Sequence, residues 1–451
     1  MNARPWCAPS AKIQSVTIFK SVLILALAVG TSYAQNAHKA APKPADSNRT
    51  LISIHASGSQ RFTPEEIIST TGLKVGDVAT EDDFRKVTQD LGETGMFTDV
   101  SYSFSYSRAG TKLELHLADS DKLVPARFEN FVWFSDADLI SKVHEREPLF
   151  NGQVPVGGSL ADHISDALQS QLLRHSLSAR AEYTREGAAP NGPIDAINFR
   201  AAGMNIHIRN VSFPSAPADQ VPGLVSAAKK LEGRDYLRSE VNAYAKSALL
   251  PVYLRHGFLK ASFSEPQAKV VHEDEDETQV DVDLASTPGS QYTISGFTWE
   301  GNAAFPAAKL QPLIKGQPNE VADAVQLRTD LESVHKLYGT RGYMLATVTP
   351  EPTFDDGHST VAYKLAVNEG ELFHMGDLEI AGLDSKTADR LEEAWDLKSS
   401  DVYDSSYPKR FIEKAWKLLP PKTNWTVDVH EGVNEKEKTV DVSLRYGIKP
   451  D

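Results

Sequence analysis

The stretch LYGTRGYMLATVTPEP at residues 337–352 has a counterpart upstream, YLRHGFLKASFSEP at residues 253–266. Both stretches run from an apolar helix end through a glycine and an aromatic residue into an alternating strand followed by proline. Gly342 and Gly257 take the same place in the two stretches, 85 residues apart. Because the order of helix, glycine and strand signals is shared, the chain contains an internal repeat, and that repeat decides the fold class.

The same pattern recurs at three more places, so that five residues mark the repeat. These anchors are Gly95, Ser176, Gly257, Gly342 and Asn424, spaced 81 to 85 residues apart. Each anchor follows a predicted helix, where a residue in the left-handed conformation ends the helix. Glycine adopts that conformation most readily and asparagine next. We therefore expect Gly342→Val to destabilise the protein and Gly342→Asn to be nearly harmless.

Each unit of the repeat has the order strand, helix, helix, strand, strand. In the first unit, Thr63, Pro64 and Glu66 are residue types that begin a helix, as N-cap, first-turn proline and capping-box glutamate. Apolar residues at helical spacing indicate the second helix. Segments such as VDVDL at 280–284 alternate apolar and polar residues, as a strand with one buried face does.

The sequence therefore predicts an α+β protein of five tandem units, each a three-stranded mixed sheet with two helices on one face. The predicted bounds of the first to the fifth unit are 49–121, 122–202, 203–288, 289–370 and 371–449. No segment has the lipid-facing alternation that is typical of a membrane β-barrel, so no barrel is expected.

The N-terminal residues have the pattern of an export signal. Basic residues precede the apolar run SVLILALAVG at 21–30, and small residues follow it. We predict a cleaved signal peptide over 1–34, with an uncleaved membrane anchor as the alternative. The apolar stretch is shorter than the ~20 residues that a spanning helix needs. Residues 35–48 are polar and rich in alanine and proline, which is typical of a linker.

Composition excludes several classes of function. The formal net charge is −14, from 47 basic and 61 acidic residues, which argues against nucleic acid and anionic lipid headgroups as partners. The single cysteine, Cys7, lies in the predicted signal peptide. The exported chain would therefore contain no disulfide, no thiolate metal site and no thiol nucleophile.

No catalytic or cofactor-binding motif is recognisable in the sequence. Nucleophile elbows, phosphate loops and zinc-binding helices are all missing, so we expect no catalytic residue, no cofactor and no small-molecule substrate. The acidic stretch HEDEDETQVDVD at 272–283 lacks the glycine and terminal glutamate spacing of a calcium loop. We interpret it as a solvated hairpin tip rather than a metal site.

Three motifs of the fourth unit resemble those of POTRA domains. They are WEGNAAF at 299–305, YGTRGYMLATVTPEP at 338–352 and LAVNEG at 365–370. POTRA domains are the periplasmic repeats of the BamA-like outer-membrane assembly and translocation family. The resemblance implies a periplasmic location, and partners among outer-membrane β-barrel assembly components or unfolded outer-membrane protein strands. In that family a barrel follows the last repeat, whereas this chain ends at YGIKPD, so binding and scaffolding are expected without barrel-dependent activity.

The resemblance also implies that the strand after the anchor glycine is an exposed edge, where an extended chain could pair through its backbone. The candidate pairing residues are Leu345, Ala346, Thr347, Val348 and Thr349 in the fourth unit and Leu259, Ala261 and Phe263 in the third. The alternative is that Pro350, Pro352 and Pro266 block such pairing, because proline offers no N–H group.

The expected function is that of an exported binding and scaffolding arm in outer-membrane protein assembly or translocation. The alternative is a structural protein that bridges envelope or cell-division machinery without handling unfolded clients. A hydrolase is a third hypothesis, for which the sequence offers no catalytic constellation. Finding a β-barrel assembly protein in cross-linked complexes with this chain would favour the first hypothesis.

Overall fold

The computed structural model describes residues 49–189, 192–274, 277–421 and 423–448. The predicted signal peptide and linker lie outside this part of the chain. A small mixed sheet recurs along it, and its central strand is the last strand of the unit, or the last but one in the third unit. The first strand of the unit pairs parallel with the central strand. The strand that precedes the central strand in sequence pairs with it antiparallel. The predicted α+β fold with small mixed sheets is confirmed.

The first unit has the five predicted elements. They are β1 (Leu51–Ser57), α1 (Pro64–Thr70), α2 (Glu81–Glu93), β2 (Phe97–Ser107) and β3 (Gly110–Asp119). The predicted helix start is confirmed, because the Thr63 N–H donates to the Glu66 carboxylate at 2.7 Å and the Glu66 N–H donates to Thr63 Oγ1 at 3.2 Å. The hydrogen bond from the Thr63 N–H to the Glu66 carboxylate is the main cause that lowers the pKa of Glu66.

The second unit departs from the predicted three-stranded sheet. Its elements are β4 (Leu123–Phe128), α3 (Asp136–His144), β5 (Gln153–Pro155), α4 (Leu160–Arg174), β6 (Arg180–Gly187) and β7 (Ile194–Ala202). The additional strand β5 pairs with β4, so the sheet has four strands. Buried residues of the first and second units form one continuous core. The division into five units at the bounds given above therefore stays a prediction.

The third unit has an irregular second helix. Its elements are β8 (Ile206–Ser212), α5 (Val221–Ala228), α6 (Arg238–Tyr244), α7 (Leu250–Arg255), β9 (Ser262–Phe263), β10 (Gln267–Glu273), β11 (Thr278–Asp283) and β12 (Ser286–Thr287). One turn of π-helix, Ala245–Leu249, joins α6 to α7. The π-helical turn ends just before Pro251, which lacks the N–H group that a regular helix would use to bond back into that turn.

The fourth and fifth units repeat the order of the first. The fourth contains β13 (Thr293–Glu300), α8 (Ala307–Leu310), α9 (Ala324–Gly339), β14 (Thr347–Asp355) and β15 (Thr360–Asn368). The fifth contains β16 (His374–Ala381), α10 (Ser385–Glu393), α11 (Tyr407–Ala415), β17 (Trp425–Asn434) and β18 (Thr439–Ile448). Alternate residues of the central strand β15 are buried, as its sequence pattern predicts. Within the described residues, no helix is both long and apolar enough to cross a membrane.

Four of the five anchors are in the left-handed region. The φ angle is +79° at Gly95, +58° at Ser176, +77° at Gly257 and +81° at Gly342. At the last three, the next N–H donates to the carbonyl oxygen five residues earlier, as in a Schellman motif. These pairs are Leu177 with Leu172, Phe258 with Tyr253 and Tyr343 with Tyr338.

The placement of Asn424 at a helix end is wrong. The helical segment of the fifth unit ends with a 3-10 turn, Trp416–Leu418, and Leu419 is already extended at φ −80° and ψ 153°. Pro420 and Pro421 follow, and the residue before a proline is driven out of the helical region. Asn424 instead stands directly before β17.

The anchor glycines also contact the next unit. The Tyr292 N–H donates to the Gly257 carbonyl oxygen at 2.8 Å, and the Phe373 N–H donates to the Gly342 carbonyl oxygen at 2.8 Å. A Cβ atom on Gly342 would lie 2.7 Å from the Phe373 carbonyl oxygen and 2.9 Å from Val402 Cγ1. We call this contact the glycine joint. Because any side chain at Gly342 would enter the joint, the structure predicts that asparagine also destabilises the protein there, in contrast to the expectation from the sequence.

Substitution of Gly342 by asparagine tests the glycine joint. Gly342→Asn should lower the free energy of unfolding by about 1–3 kcal/mol, because its Cβ overpacks the contact with the fifth unit. The matched control is Gly233→Asn, at φ +75° with no atom within 4 Å of a Cβ, which should stay within about 0.5 kcal/mol of the parent. Urea denaturation followed by circular dichroism measures both. Equal shifts of the two midpoints would contradict the joint.

Candidate binding edges and groove

The strand β14, which follows the anchor glycine of the fourth unit, lies at an edge of its sheet. Its nine residues pair in unbroken register with β15 on one side. Three of the predicted pairing residues, Thr347, Val348 and Thr349, belong to this strand. The edge is therefore available to an incoming strand only through the groups that point away from β15.

Two prolines decide what that outer side can bind. In an antiparallel ladder, residues alternate between N–H groups that point at the partner strand and N–H groups that point away. Proline is tolerated only where the missing N–H would point away. Pro350 and Pro352 pair with Leu365 and Tyr363 within the unbroken ladder. The backbone N–H groups of the even-numbered residues of β14 therefore point away from β15. Of the predicted pairing residues on β14, only Val348 then presents an N–H group to a new strand.

The prediction that Leu345 and Ala346 belong to the edge strand is wrong. The Ala346 N–H donates to the Tyr343 carbonyl oxygen at 3.3 Å. The Ala346 carbonyl oxygen lies 2.7 Å from His335 Nδ1. The Ala346 side chain is buried, and the Leu345 side chain is exposed. The turn after the helix thus occupies these backbone groups, and the strand begins only at Thr347.

The predicted edge of the third unit is also corrected. Leu259 and Ala261 lie in a turn in which the Ala261 N–H donates to the Phe258 carbonyl oxygen at 3.2 Å. Phe263 belongs to β9, which pairs with β12 in a separate two-stranded sheet. Pro266 then interrupts the chain, and the edge of the main sheet is β10. The strand is split because proline cannot donate to a ladder.

An open apolar groove runs along β14 and faces α9. Its volume is about 640 Å³. Val348, Pro350 and Phe354 of β14 and Leu331 of α9 line it, and Leu254 of the third unit contributes to the lining. Sequence reasoning missed the groove, although a signal was present. Proline at alternate positions of an edge strand, beside a helix with a half-buried apolar face, indicates a strand that leaves space under the helix.

The register of the sheets allows the first and fourth units to be aligned residue by residue. A Cβ on Gly58 would lie 2.2 Å from the Leu117 carbonyl oxygen, and a Cβ on Gly301 would lie 2.2 Å from that of Val367. Each glycine follows the first strand of its unit and approaches the central strand at the same point. Leu117 and Val367 are therefore equivalent, and the strand pairs counted from them are equivalent too.

This alignment explains why the groove is open. Tyr102 and Phe104 of β2 stand where β14 has Pro350 and Pro352. In the first unit both rings pack near Phe84 of α2, with ring centres 6.2 and 5.5 Å from that of Phe84. The two prolines carry smaller side chains, so the space that aromatic rings fill in the first unit stays empty in the fourth.

Charged side chains line one margin of the groove. Arg328 and Glu332 lie one turn apart on α9, and both are exposed. Within the described residues, neither has an ion-pair partner.

At the floor of the groove, burial raises the pKa of Tyr363 to about 12, so its phenol is uncharged near neutral pH. The described residues contain no cluster of three His, Cys, Asp or Glu that could hold a metal ion.

An ion pair ties the third unit to the hairpin of the fourth. Lys260 Nζ lies 2.7 Å from Asp356 Oδ1, which also accepts a hydrogen bond from the Tyr292 hydroxyl at 2.6 Å. The same ammonium group lies 4.6 Å from the ring centre of Phe354. The hydrogen bond from Lys260 is the main cause that lowers the pKa of Asp356. A carboxyl with a lowered pKa contributes when ionised, so its contribution is lost as the pH falls through that pKa.

Several other edge strands contain no proline, and two of them belong to units that repeat the order of the fourth. These two strands are β2 of the first unit and β17 of the fifth. The hairpins of the fourth and fifth units both have four-residue loops, which makes Asn434 equivalent to Asp355. Counting back along the strands, Val429 stands at the position of Pro350 and its N–H points outward. These two edges therefore present complete rows of outward N–H groups.

Comparison with known families and proteins agrees with this geometry. Residues 292–370 match the POTRA family, described as "Surface antigen variable number repeat". The matched segment coincides with the fourth unit, within its predicted bounds 289–370. A relative from Treponema pallidum (strain Nichols), named "Putative outer membrane protein assembly factor", is 26% identical over 163 residues. The match covers 36% of this chain and only 19% of that protein.

Similar solved structures are POTRA segments of BamA from Haemophilus influenzae. The structure of POTRA3-5 is 20% identical, and the match covers 54% of this chain and 96% of that one, with a TM-score of 0.41. The structure of POTRA4 is 30% identical, and the match covers 18% of this chain and 94% of that one, with a TM-score of 0.17. The resemblance to POTRA repeats that the sequence motifs predicted is confirmed by the family match and by the relative from Treponema pallidum.

A charge placed in the groove tests whether it is open in solution. Leu331→Asp should weaken binding of the apolar dye 8-anilinonaphthalene-1-sulfonate by about tenfold, because the dye loses roughly 1.4 kcal/mol of apolar contact. Fluorescence titration of the full chain measures the affinity. Thr329→Asp, on the same helix but outside the groove, introduces the same charge and should leave the affinity unchanged. Similar losses in both variants would show that the dye binds elsewhere.

Proposed function

We propose that this protein is a periplasmic, non-catalytic binding and scaffolding arm in outer-membrane protein assembly or translocation. The POTRA match of residues 292–370 and the relative from Treponema pallidum support this proposal. The observation that carries it is geometric. Each three-stranded mixed sheet buries its central strand and leaves an antiparallel strand at an edge, where an extended chain can be added.

The clients in this proposal are extended segments of unfolded outer-membrane proteins. Backbone hydrogen bonds to an edge strand tolerate many sequences, and each contributes about 0.5–1.5 kcal/mol net. We place the pairing on β17 and β2, whose outward N–H groups are complete. The β14 edge that the sequence suggested, at Thr347, Val348 and Thr349, contributes one outward donor and is a minor site in this proposal.

A purely structural role is the second candidate, and the glycine joints favour it. A hydrogen bond from the next unit at both Gly257 and Gly342 is suited to a stiff spacer. The ion pair between Lys260 and Asp356 adds a further contact between the third and fourth units. A spacer of this kind could bridge envelope or cell-division machinery without binding unfolded chains, and the experiment below separates the two roles.

Proline substitution on β17 tests strand pairing. Val429→Pro copies the arrangement at Pro350, so it should keep the circular dichroism of the parent while removing an outward N–H. The affinity for a fluorescent peptide of alternating apolar and polar residues should fall by about tenfold or more, as measured by anisotropy. Val429→Ala, which keeps the N–H group, should bind like the parent.

The neighbouring position provides the structural control. His430 points its N–H at β18, so His430→Pro should damage the fold and lower the unfolding midpoint. If Val429→Pro binds the strand peptide as well as Val429→Ala does, β17 is not the pairing edge. If the parent chain binds no strand peptide, client capture is wrong and the structural role replaces it.

A further inference from the structure

We propose that the groove between α9 and β14 is a docking site for an amphipathic helix of a partner protein. This inference goes beyond the proposed function, because it concerns a different surface and a different conformation of the bound chain. Extended clients would pair with sheet edges through their backbone. The groove would instead recognise apolar side chains, whether or not this protein binds unfolded clients.

The prolines argue against an extended occupant. A strand laid beside β14 would find no N–H at Pro350 or Pro352, so its own carbonyl groups there would have no donor. Leaving polar backbone groups without partners against an apolar surface costs free energy. A helix satisfies its backbone internally and needs only side-chain contacts. The surface that weakens strand pairing is therefore still suited to a helix.

The size of the groove agrees with a short helix. Its lining on α9 extends from Ala324 to His335, a rise of about 16 Å at 1.5 Å per residue. That length equals about three helical turns, enough for apolar anchors spaced i, i+3, i+4 and i+7 on a partner. A volume of about 640 Å³ is sufficient for several aliphatic side chains.

The charges at the margin specify the partner further. Arg328 and Glu332 are exposed, lie one turn apart and have no ion-pair partner among the described residues. A partner helix that carries an acidic residue opposite Arg328 and a basic residue opposite Glu332 would complement both. The occupant is thus an amphipathic helix with an apolar face and a flanking acid and base one turn apart.

Evidence from the first unit shows how the groove can be closed. Tyr102 and Phe104 fill the equivalent space on Phe84 without changing the order of the sheet. The double substitution Pro350→Tyr and Pro352→Phe should therefore occupy the groove while preserving the fold. It changes the groove from within and leaves the charged margin intact.

The experiment uses the full chain and two synthetic peptides of about 15 residues, long enough for partial helix formation. Both contain the same leucines, alanines, glutamates and lysines. One places leucine at i, i+3, i+4 and i+7, and the other alternates leucine with polar residues. Fluorescence anisotropy should show the parent binding the helical peptide more tightly than the alternating peptide. The double variant should lose about tenfold or more of the affinity for the helical peptide.

A charge exchange tests the margin. Arg328→Glu should weaken binding of the helical peptide, and a peptide whose opposing glutamate is replaced by lysine should restore it. Thr329→Glu, outside the groove, should have no effect. Circular dichroism and urea denaturation establish that each variant is folded.

Three results would overturn the proposal. In the first, the parent binds the alternating peptide as tightly as the helical peptide or more tightly, and the double variant loses that binding. An extended chain would then be the occupant of the groove. The second is unchanged helical-peptide affinity in a folded double variant. The third is self-association of the parent in sedimentation velocity that the double variant abolishes, which would identify a second copy of this chain as the occupant.

Discussion

The arrangement of the units depends on a hydrogen bond accepted by a helix-ending glycine. At Gly257 and again at Gly342, the left-handed conformation ends the helix and presents the carbonyl oxygen to the residue just before the first strand of the next unit. The absence of a side chain then lets the next unit approach, because a Cβ at either position would lie 2.7 Å from the carbonyl oxygen of that residue. One glycine therefore ends a helix of its own unit and contacts the start of the next unit, which explains why the repeat is most visible in the sequence at this point.

The sequence predicted the features that depend on local chemistry. The helix-ending positions from Gly95 to Gly342, the capping box at Thr63 and the alternation of the central strand β15 follow from residue types a few positions apart, and the structure has all three. Asn424 was misplaced because spacing alone could not reveal that Pro420 and Pro421 end the helix early. Leu345 and Ala346 were misplaced because they lie in the turn after the helix, where the Ala346 backbone bonds to His335 and to Tyr343.

Other features required the structure. A second left-handed position recurs before the second helix of four units, where an N–H donates back to the first strand. These residues are Gly76, Gly233, Asn319 and Ser400. Their types differ, so no single motif marks them, although an in-register alignment of GDVA at 76–79, NEVA at 319–322 and SDVY at 400–403 shows the common pattern. The groove depends on contacts between α9, β14 and the third unit, and no window of sequence contains all three.

The edge strand is the part of each unit that the fold constrains least. Central strands must bury alternate residues and the joints must admit a neighbouring backbone, so their residues vary little in type. The edge-strand residues whose N–H groups point outward are under neither constraint. At one pair of equivalent positions the first unit has Tyr102 and Phe104, the fourth has Pro350 and Pro352, and the fifth has Val429 and Glu431. The aromatic pair fills the space under the helix. The proline pair leaves that space empty and removes two backbone N–H donors, whereas Val429 and Glu431 keep these donors. Units with one topology can therefore offer different binding surfaces, since the residues that set the surface are not those that set the fold.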